Sequence, residues 1–306
     1  MGLNGPLFWY ALPVFTLLVL VEMWLLRRRG LPGYTLGESF ATLGIGLGQR
    51  IIGAGVKLSG FSLLGAAIWQ LRLTTIPLHS LGAWVALFFG VEFTYYWFHR
   101  ASHEVRWLWA THAVHHTPEE LNILASYRLG WTGLLSGGFV FHLPLIWIGF
   151  HPAAVASMLA ANLLYQSWLH TTLIPKLPLV EGWLNTPSSH RVHHGRNADY
   201  LDRNHGGVLL IFDRLFGTYV AERVDDPVQF GLVKPVGSVN PVTIAFHEWA
   251  AIVSDLRTQS LRHWPALLFG PPGWRPDGMG LTSADVRAAY RAGQAVPVEA
   301  VSQVAA

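Results

Sequence analysis

The chain has 306 residues, of which 51% are hydrophobic and only 13% are charged, and its formal net charge is +3. A chain of this length with a mean hydropathy of +0.33 is too apolar for an ordinary water-soluble domain, so the composition predicts an integral membrane protein. The absence of cysteine excludes disulfides, thiolate metal ligands and iron–sulfur clusters. No basic run is interleaved with aromatic residues, which argues against nucleic acid as a partner, whereas 14 tryptophans and a pI near 9.3 suit a membrane with anionic lipid.

Apolar segments follow one another along the first 170 residues. A helix needs about 20 mostly apolar residues to cross a hydrocarbon core of about 30 Å. The segments are 7–26, 36–69, 81–98, 131–150 and 153–169. We therefore predict an all-α, integral membrane helical bundle of about four to five spans. In the second segment, Gly44, Gly46 and Gly48 are interpreted as a face for close helix packing and not as a nucleotide-binding loop, because no strand precedes them.

Charge placement predicts the orientation of this bundle. Arg27, Arg28 and Arg29 directly follow the first segment, and the positive-inside rule places them in the cytoplasm. A cleaved secretory signal carries its charges before the apolar run, so the first segment should be retained. Counting one crossing each for 36–69 and 81–98 returns the chain to the cytoplasm at His99. The expected location is the inner membrane of a bacterial cell or the endoplasmic reticulum of a eukaryotic cell.

Eight of the 15 histidines fall into three short clusters with the spacing of metal ligands. Positions three and four apart share one face of a helix, and neutral imidazole is a ligand that zinc, copper, iron and nickel accept. Each His-x-x-His-His triplet should direct its first histidine inward, together with either its second or its third histidine. Such clusters on facing helices can hold two metal ions, so we predict a histidine-rich, di-metal cap on the cytoplasmic side of the bundle. The predicted ligands are His99 and His103, then His112, His115 and His116, and finally His190, His193 and His194.

His170 is a ninth candidate ligand. Segments 131–150 and 153–169 are separated by a turn that ends at Pro152, which predicts a helical hairpin through the membrane. A helix that leaves and another that returns would bring His170 to the side that carries the first two clusters. Residues 206–219 are apolar but too short to cross, and we expect them to lie against the cap. The isolated histidines are expected to be ordinary hydrogen-bonded residues, namely His79, His142, His151, His247 and His263.

The order and spacing of the clusters resemble the three histidine boxes of the fatty acid hydroxylase and sterol desaturase superfamily of membrane non-haem di-iron oxygenases. Sequences around the boxes are similar as well, with the resemblance extending over roughly 8–274. They include Tyr95-Tyr-Trp-Phe-His-Arg100, Asn185-Thr-Pro-Ser-Ser-His190 and Phe216-Gly-Thr218. Within the superfamily, the sequence around the boxes is most similar to that of the members that cleave ether lipids. The sequence departs from them at 122–128 and at His205, where many relatives carry an aromatic residue.

The resemblance implies two non-haem iron ions, a lipid substrate and O₂. It implies O₂-dependent cleavage of an alkylglycerol ether lipid to a fatty aldehyde and a glycerol derivative. The resemblance also implies tetrahydrobiopterin as the reductant, and an external electron-donor protein is the alternative. Glu104 adjoins His103 and is a candidate catalytic residue that orients a ligand or bridges the metals, although a surface carboxylate would have the same spacing.

Two other functions stay open on the sequence alone. One is a sterol or acyl-lipid hydroxylase or desaturase that receives electrons from a redox protein. The other is a non-catalytic zinc-binding or metal-transport membrane protein, since imidazole binds zinc well. In the domain organisation that we predict, residues 1–262 form a membrane di-iron oxygenase domain and residues 263–306 form a C-terminal segment and flexible tail.

Overall fold

A computed structural model of the chain describes residues 6–55 and 60–294. This described part is all-helical, with no strand and three isolated β-bridges, so the predicted all-α class is confirmed. The α-helices are Pro6–Arg28 (α1), Leu36–Gly55 (α2), Gly60–Gln70 (α3), Leu81–Glu104 (α4), Arg106–His116 (α5), Gly133–Ser136 (α6), Leu143–Ile148 (α7), Pro152–Ser167 (α8), Pro187–His193 (α9), Ile211–Leu215 (α10), Pro241–Thr258 (α11), Trp264–Phe269 (α12) and Ser283–Arg291 (α13). Short 3₁₀ helices cover Ile123–Tyr127, Gly138–His142 and Leu261–His263.

Helix α4 occupies the middle of the bundle. It begins where the Ser80 hydroxyl accepts a hydrogen bond from the backbone N–H of Ala83 (3.2 Å), an N-cap that satisfies one of the free donors of the first turn. Its apolar face packs against α7 and α8 in a buried cluster. The cluster consists of Leu87, Val91, Leu143, Leu145, Ile146, Phe150 and Val155. Packing of this half of α4 places its other half, with His99 and His103, at the end of the apolar core.

The glycine-rich face of α2 is a packing surface, as predicted. A side-chain carbon added at Gly44 would lie 2.5 Å from Pro241 of α11, and one added at Gly48 would lie 2.3 Å from the Trp131 ring. Both separations are too short for real atoms, so these helices approach as closely as they do because the positions are glycine. The Trp131 indole N–H also donates to the carbonyl oxygen of Ile45 (2.8 Å).

Three of the predicted apolar segments have different limits in the structure. Helix α4 does not end before His99 but continues to Glu104, because no proline or glycine follows Gly90 to stop it. Segment 36–69 is divided into α2 and α3. Segment 131–150 is not one helix but α6, a 3₁₀ turn and α7, since Gly137 adopts a left-handed conformation (φ 73°) at the end of α6.

The structure does not show the predicted membrane crossings as long apolar helices in the described residues. Across residues 6–55 and 60–294, none of the helices combines the length and hydropathy that a bilayer crossing requires.

Within the predicted C-terminal segment, residues 264–291 include the two helices α12 and α13. Helix α12 packs against α5 and α11, and the backbone N–H of Arg106 donates to the Gly270 carbonyl (3.0 Å). Helix α13 begins with a capping box in which Thr282 and Asp285 satisfy each other's backbone N–H groups. Residues 295–306, the end of the predicted tail, lie outside the described part.

Candidate metal centre

The structure gathers nine histidines into two groups, each with its ligand atoms within 4.8 Å of one another. We name the first group site 1; its members are His99, His103, His112, His116 and His193. We name the second group site 2; its members are His115, His170, His190 and His194. Helices α4, α5 and α9 and the turn after α8 supply these rings. The nine residues are those that the sequence predicted as ligands.

Each histidine triplet divides between the two sites. His112 and His116 of α5 are four positions apart and both face site 1, while His115 faces site 2. Helix α9 does the reverse, because its first and last histidines face site 2 and its middle one faces site 1. The sites are adjacent, since the rings of His116 and His194 stack with their centroids 4.5 Å apart.

The nitrogen atoms within each site lie at distances that suit a shared metal ion. In site 1 the Nε2 atom of His112 is 3.0 Å from that of His99 and 3.1 Å from that of His116. In site 2 the Nε2 atom of His190 is 3.0 Å from that of His170 and 3.2 Å from that of His194. Two nitrogens that bind one ion at about 2.1 Å are about 3.0 Å apart at a right angle and about 3.4 Å apart at a tetrahedral angle. The observed spacings fall within this range.

Hydrogen bonds to the other ring nitrogen determine which nitrogen of each ring is free. The Nδ1–H groups of His99 and His193 donate to the backbone carbonyls of His205 (2.8 Å) and Arg203 (2.9 Å). In site 2 the Nδ1–H of His170 donates to the Gln166 carbonyl (3.0 Å). A carbonyl oxygen can only accept, so these rings carry their proton on Nδ1 and direct an Nε2 lone pair into the site. Lone pairs that face each other at 3 Å repel unless a cation lies between them, which is the condition that a metal ion meets.

Burial keeps these rings neutral. It lowers the pKa of His99, His193 and His194 well below the usual range, and the neighbouring imidazoles lower it further. Burial likewise lowers the pKa of His115 to about 4. Neutral rings at pH 7 are in the protonation state that metal binding requires, because protons do not compete for the lone pairs.

Residues 202–205 form a loop across site 1 that we call the strap. Besides the carbonyls of Arg203 and His205, it contributes the Asp202 carboxylate, whose Oδ1 lies 3.3 Å from Nδ1 of His103. Asp202 and Asn204 both have positive φ (51° and 57°), and asparagine and aspartate tolerate this conformation better than most residues. Burial alone would raise the pKa of Asp202, but the hydrogen bond with His103 and the charge of Arg287 lower it. Three histidines of site 1 thus depend on one short loop.

Asp213 holds the end of the strap in place. Its carboxylate accepts hydrogen bonds from the backbone N–H of His205 (2.7 Å), from that of Gly206 (2.8 Å) and from the Thr218 hydroxyl (2.7 Å). Burial raises the pKa of Asp213 to about 6. The expectation that 206–219 lies against the cap is therefore confirmed. His205 itself is fully buried, with its ring centroid 5.0 Å from that of His103.

A buried polar network connects the apolar core to the centre. The Glu92 carboxylate accepts from the Asn162 amide (2.5 Å) and from the backbone N–H of Leu209 (2.8 Å). Asn162 accepts in turn from Gln166 (2.6 Å), and Gln166 accepts from the Tyr95 hydroxyl (3.0 Å). Gln166 is also the residue whose carbonyl orients His170. Sequence reasoning did not assign these residues, although polar side chains in otherwise apolar segments were the available signal.

Arg191 anchors the third cluster from within it. Its guanidinium donates to both carboxylate oxygens of Glu222 (2.8 and 2.6 Å) and to the carbonyls of Thr171 (3.0 Å) and Ile174 (2.8 Å). It therefore joins α9 to the turn that carries His170.

Glu104 does not lie where the sequence predicted a catalytic carboxylate. Its side chain is 47% exposed and forms an ion pair with Arg100 (2.9 Å) on the outer face of α4. Consecutive helical residues point about 100° apart, so the neighbour of an inward-facing His103 is turned away from the site. In the described residues, neither group of converging ligand atoms includes a carboxylate.

Comparison with known proteins shows that the region around the centre is similar to one family. Residues 84–218 match the family model described as fatty acid hydroxylase, and this range contains all nine histidines. The matched range covers most of α4 and the whole of α5, α8 and α9, together with the strap.

Similarity to individual proteins extends beyond residues 84–218. Human alkylglycerol monooxygenase is 36% identical over 274 residues, which cover 87% of this chain and 59% of the human protein. The zebrafish (Danio rerio) alkylglycerol monooxygenase is 35% identical over 273 residues, with the same coverage. Ornithine lipid hydroxylase of Rhizobium tropici is 30% identical over 129 residues, which cover 42% of this chain and 39% of that protein. The chain thus spans less than two thirds of each of these relatives. No solved structure matches it.

Proposed function

We propose that the chain is a membrane-bound, non-haem di-iron monooxygenase that uses O₂ to cleave an alkylglycerol ether lipid into a fatty aldehyde and a glycerol derivative. The observation that carries this proposal is the pair of all-imidazole sites within the range that matches the hydroxylase family model. Similarity over 87% of the chain to proteins named alkylglycerol monooxygenase supports the choice of an ether lipid.

The donor set supports iron as the metal. Site 1 gathers five imidazoles, one more than the four ligands of a tetrahedral zinc site. The proposed ligands are the nine histidines of sites 1 and 2. Two ferrous ions bound there would supply activation of O₂ for oxidation of an unactivated C–H bond.

The chain's own residues orient the ligands and exclude water. The strap and Gln166 hold protons on Nδ1 of four rings, so that the Nε2 lone pairs point inward. Hydroxylation of the carbon beside the ether oxygen takes one atom of O₂, and two electrons and two protons convert the other atom to water. The resulting hemiacetal loses its C–O bond to give the aldehyde and a free glycerol hydroxyl. We propose tetrahydrobiopterin as the electron source, with a small electron-transfer protein as the alternative.

Exposed apolar helix faces support a membrane location for the hydroxylase. Helix α1 exposes Leu17, Leu20 and Trp24, and α2 exposes Phe40 and Leu47, more apolar surface than a soluble protein usually leaves uncovered. Between these helices lies a cavity of about 510 Å³ with a mainly apolar lining, a size that suits a small ligand. We propose that these faces contact lipid and that the metal centre faces the cytoplasm.

The test is reconstitution of the full chain in detergent with ferrous iron. We expect two iron ions per chain and release of a fatty aldehyde from an alkylglycerol, dependent on tetrahydrobiopterin and on O₂. Omission of each component in turn is the control. A folded protein that binds no metal would contradict the proposal.

A second candidate is an acyl-lipid or sterol hydroxylase or desaturase that uses an external redox protein, which the similarity to ornithine lipid hydroxylase favours. Comparison of lipid extracts with and without expression separates the two functions. A new hydroxyl group or double bond without loss of ether lipids would support the second. Tightly bound zinc with no O₂ consumption under any reductant would instead support a non-catalytic metal protein.

A further inference from the structure

We propose that Arg287, in the C-terminal helix α13, is a positioning residue for site 1 that acts through Asp202 on His103. This inference rests on the proposed metal binding by site 1. It concerns a residue outside the range that matches the hydroxylase family model, which ends at residue 218.

The Asp202 carboxylate faces His103 with one oxygen and Arg287 with the other, and the side chain of Ser283 is a further hydrogen-bonding partner. Oδ1 lies 3.3 Å from Nδ1 of His103, and Oδ2 lies 3.2 Å from Nη1 of Arg287. The same Arg287 nitrogen donates to the Leu201 carbonyl (2.9 Å). The side chains of Asp202 and Arg287 are only 16% and 20% exposed, so solvent screens this contact less than it screens a surface ion pair. A carboxylate held at both oxygens cannot rotate away from the imidazole.

His103 depends on this contact more than its neighbours depend on theirs. His99 and His193 donate to backbone carbonyls of the strap, which move only if the strap moves. His103 instead contacts the side chain of Asp202, which could rotate if Arg287 did not hold its other oxygen. Its Nε2 atom is buried and has no hydrogen-bond partner among the described residues, so it is the atom that site 1 would use. A carboxylate on Nδ1 orients such a ring and raises the basicity of the metal-binding nitrogen.

Helix α13 is built to hold Arg287 in place. The capping box at Thr282 and Asp285 starts the helix, and Val286 is buried beside Arg287. Arg291, one turn later, lies 3.6 Å from Asp199 and is 64% exposed. It therefore offers a matched control, since it is an arginine of the same helix that approaches the same region without touching Asp202.

The experiment is titration of the full chain in detergent with Co²⁺, followed by its visible absorption, which reports on ligand geometry. In the unaltered chain we expect two bound ions. Arg287→Ala should weaken Co²⁺ binding at one of the two sites about tenfold and change the absorption spectrum of that site. Loss of a residue that hydrogen-bonds to a metal ligand weakens binding about 10- to 100-fold, and we expect the lower end of this range. The other site should keep its affinity. Arg287→Lys, which keeps a cation near Asp202, should recover part of the loss, and Arg291→Ala should match the unaltered chain.

A double-mutant cycle with Asp202→Ala separates positioning from general destabilisation. If Arg287 acts through Asp202, Arg287→Ala should cause no further loss of Co²⁺ affinity once Asp202 is alanine. Thermal unfolding of each variant checks the fold. Three results would overturn the role of Arg287 without affecting the proposed metal centre. They are unchanged Co²⁺ binding in folded Arg287→Ala, equal weakening of both sites, and an undiminished effect of Arg287→Ala in the Asp202→Ala background. Failure of the unaltered chain to bind Co²⁺ would instead overturn the metal centre itself.

Discussion

Replacing His170 by alanine removes a ring from site 2 without touching any of the three histidine clusters. Its Nε2 atom lies 3.0 Å from that of His190 and 3.3 Å from that of His115, so the substitution leaves three imidazoles where four converge. Loss of a residue that only hydrogen-bonds to a metal ligand weakens metal binding by about 10- to 100-fold, or roughly 1.4–2.8 kcal/mol. Loss of a ligand itself should weaken metal binding by more than this. We expect the variant to bind one iron ion per chain, at site 1, and to lose activity.

His142 provides the matched control for this substitution. Its side chain is nearly as buried as that of His170 (6% against 3% exposed), and it belongs to neither site because its Nδ1 atom pairs with the Thr94 hydroxyl (2.9 Å). Both alanine variants should lose a similar amount of stability, about 2–5 kcal/mol as for other large buried side chains. Only His170→Ala should lose iron. Metal analysis of the purified variants decides the matter, and the reasoning fails if His170→Ala keeps two tightly bound ions or if His142→Ala loses as much iron.

Three further predictions concern the surroundings of the centre. The Glu104→Gln variant should keep its full metal content. Its free energy of unfolding should change by less than about 1 kcal/mol, because the exposed ion pair with Arg100 contributes little. Loss of metal in this variant would show that Glu104 does act at the metal site. Arg191→Met leaves the partly buried Glu222 carboxylate with the Ser188 hydroxyl but without its arginine, and should destabilise the protein by about 3 kcal/mol, the lower end for broken buried pairs, in thermal or denaturant unfolding. Glu222→Gln, whose amide oxygen can still accept from Arg191, should cost less. The metal-free protein should lose stability as the pH falls from 6.5 towards 4. The pKa of His115 is about 4 in the folded protein and near 6.5 in the unfolded chain, so the unfolded chain binds a proton that the folded protein does not. This difference lowers the free energy of unfolding by about 3 kcal/mol over that range. A melting temperature that stays constant over that range would contradict the last prediction.

The sequence predicts the members of the centre better than their arrangement. Ligand spacing identifies the eight clustered histidines. His170 lies beside His115 as expected, although segment 131–150, one half of the membrane hairpin from which its place was argued, is not a single helix. The division of each triplet between two sites does not follow from spacing alone, because positions three and four apart lie on nearly the same helix face. Which of them faces which site depends on how α5 and α9 are oriented about the centre.

Contacts made by backbone atoms are hidden from sequence reasoning. Arg203 and His205 serve site 1 through their carbonyl oxygens, which every residue type possesses, and the strap reaches them through positive φ at Asp202 and Asn204. Glu104 shows the converse error, since closeness in sequence to His103 placed it at the site although the helix turns it outward. The interruption of 131–150 at Gly137 was missed because hydropathy does not register a left-handed residue.

The crossed assignment of the two triplets has a consequence for metal uptake. Helix α5 supplies both sites and so does α9, hence an ion that enters either site immobilises both helices at once. The two sites therefore share one scaffold, and a shift of either helix changes the ligand positions of both sites together. A substitution that moves α5 or α9 as a whole should weaken metal binding at both sites, whereas loss of a single ring should weaken one.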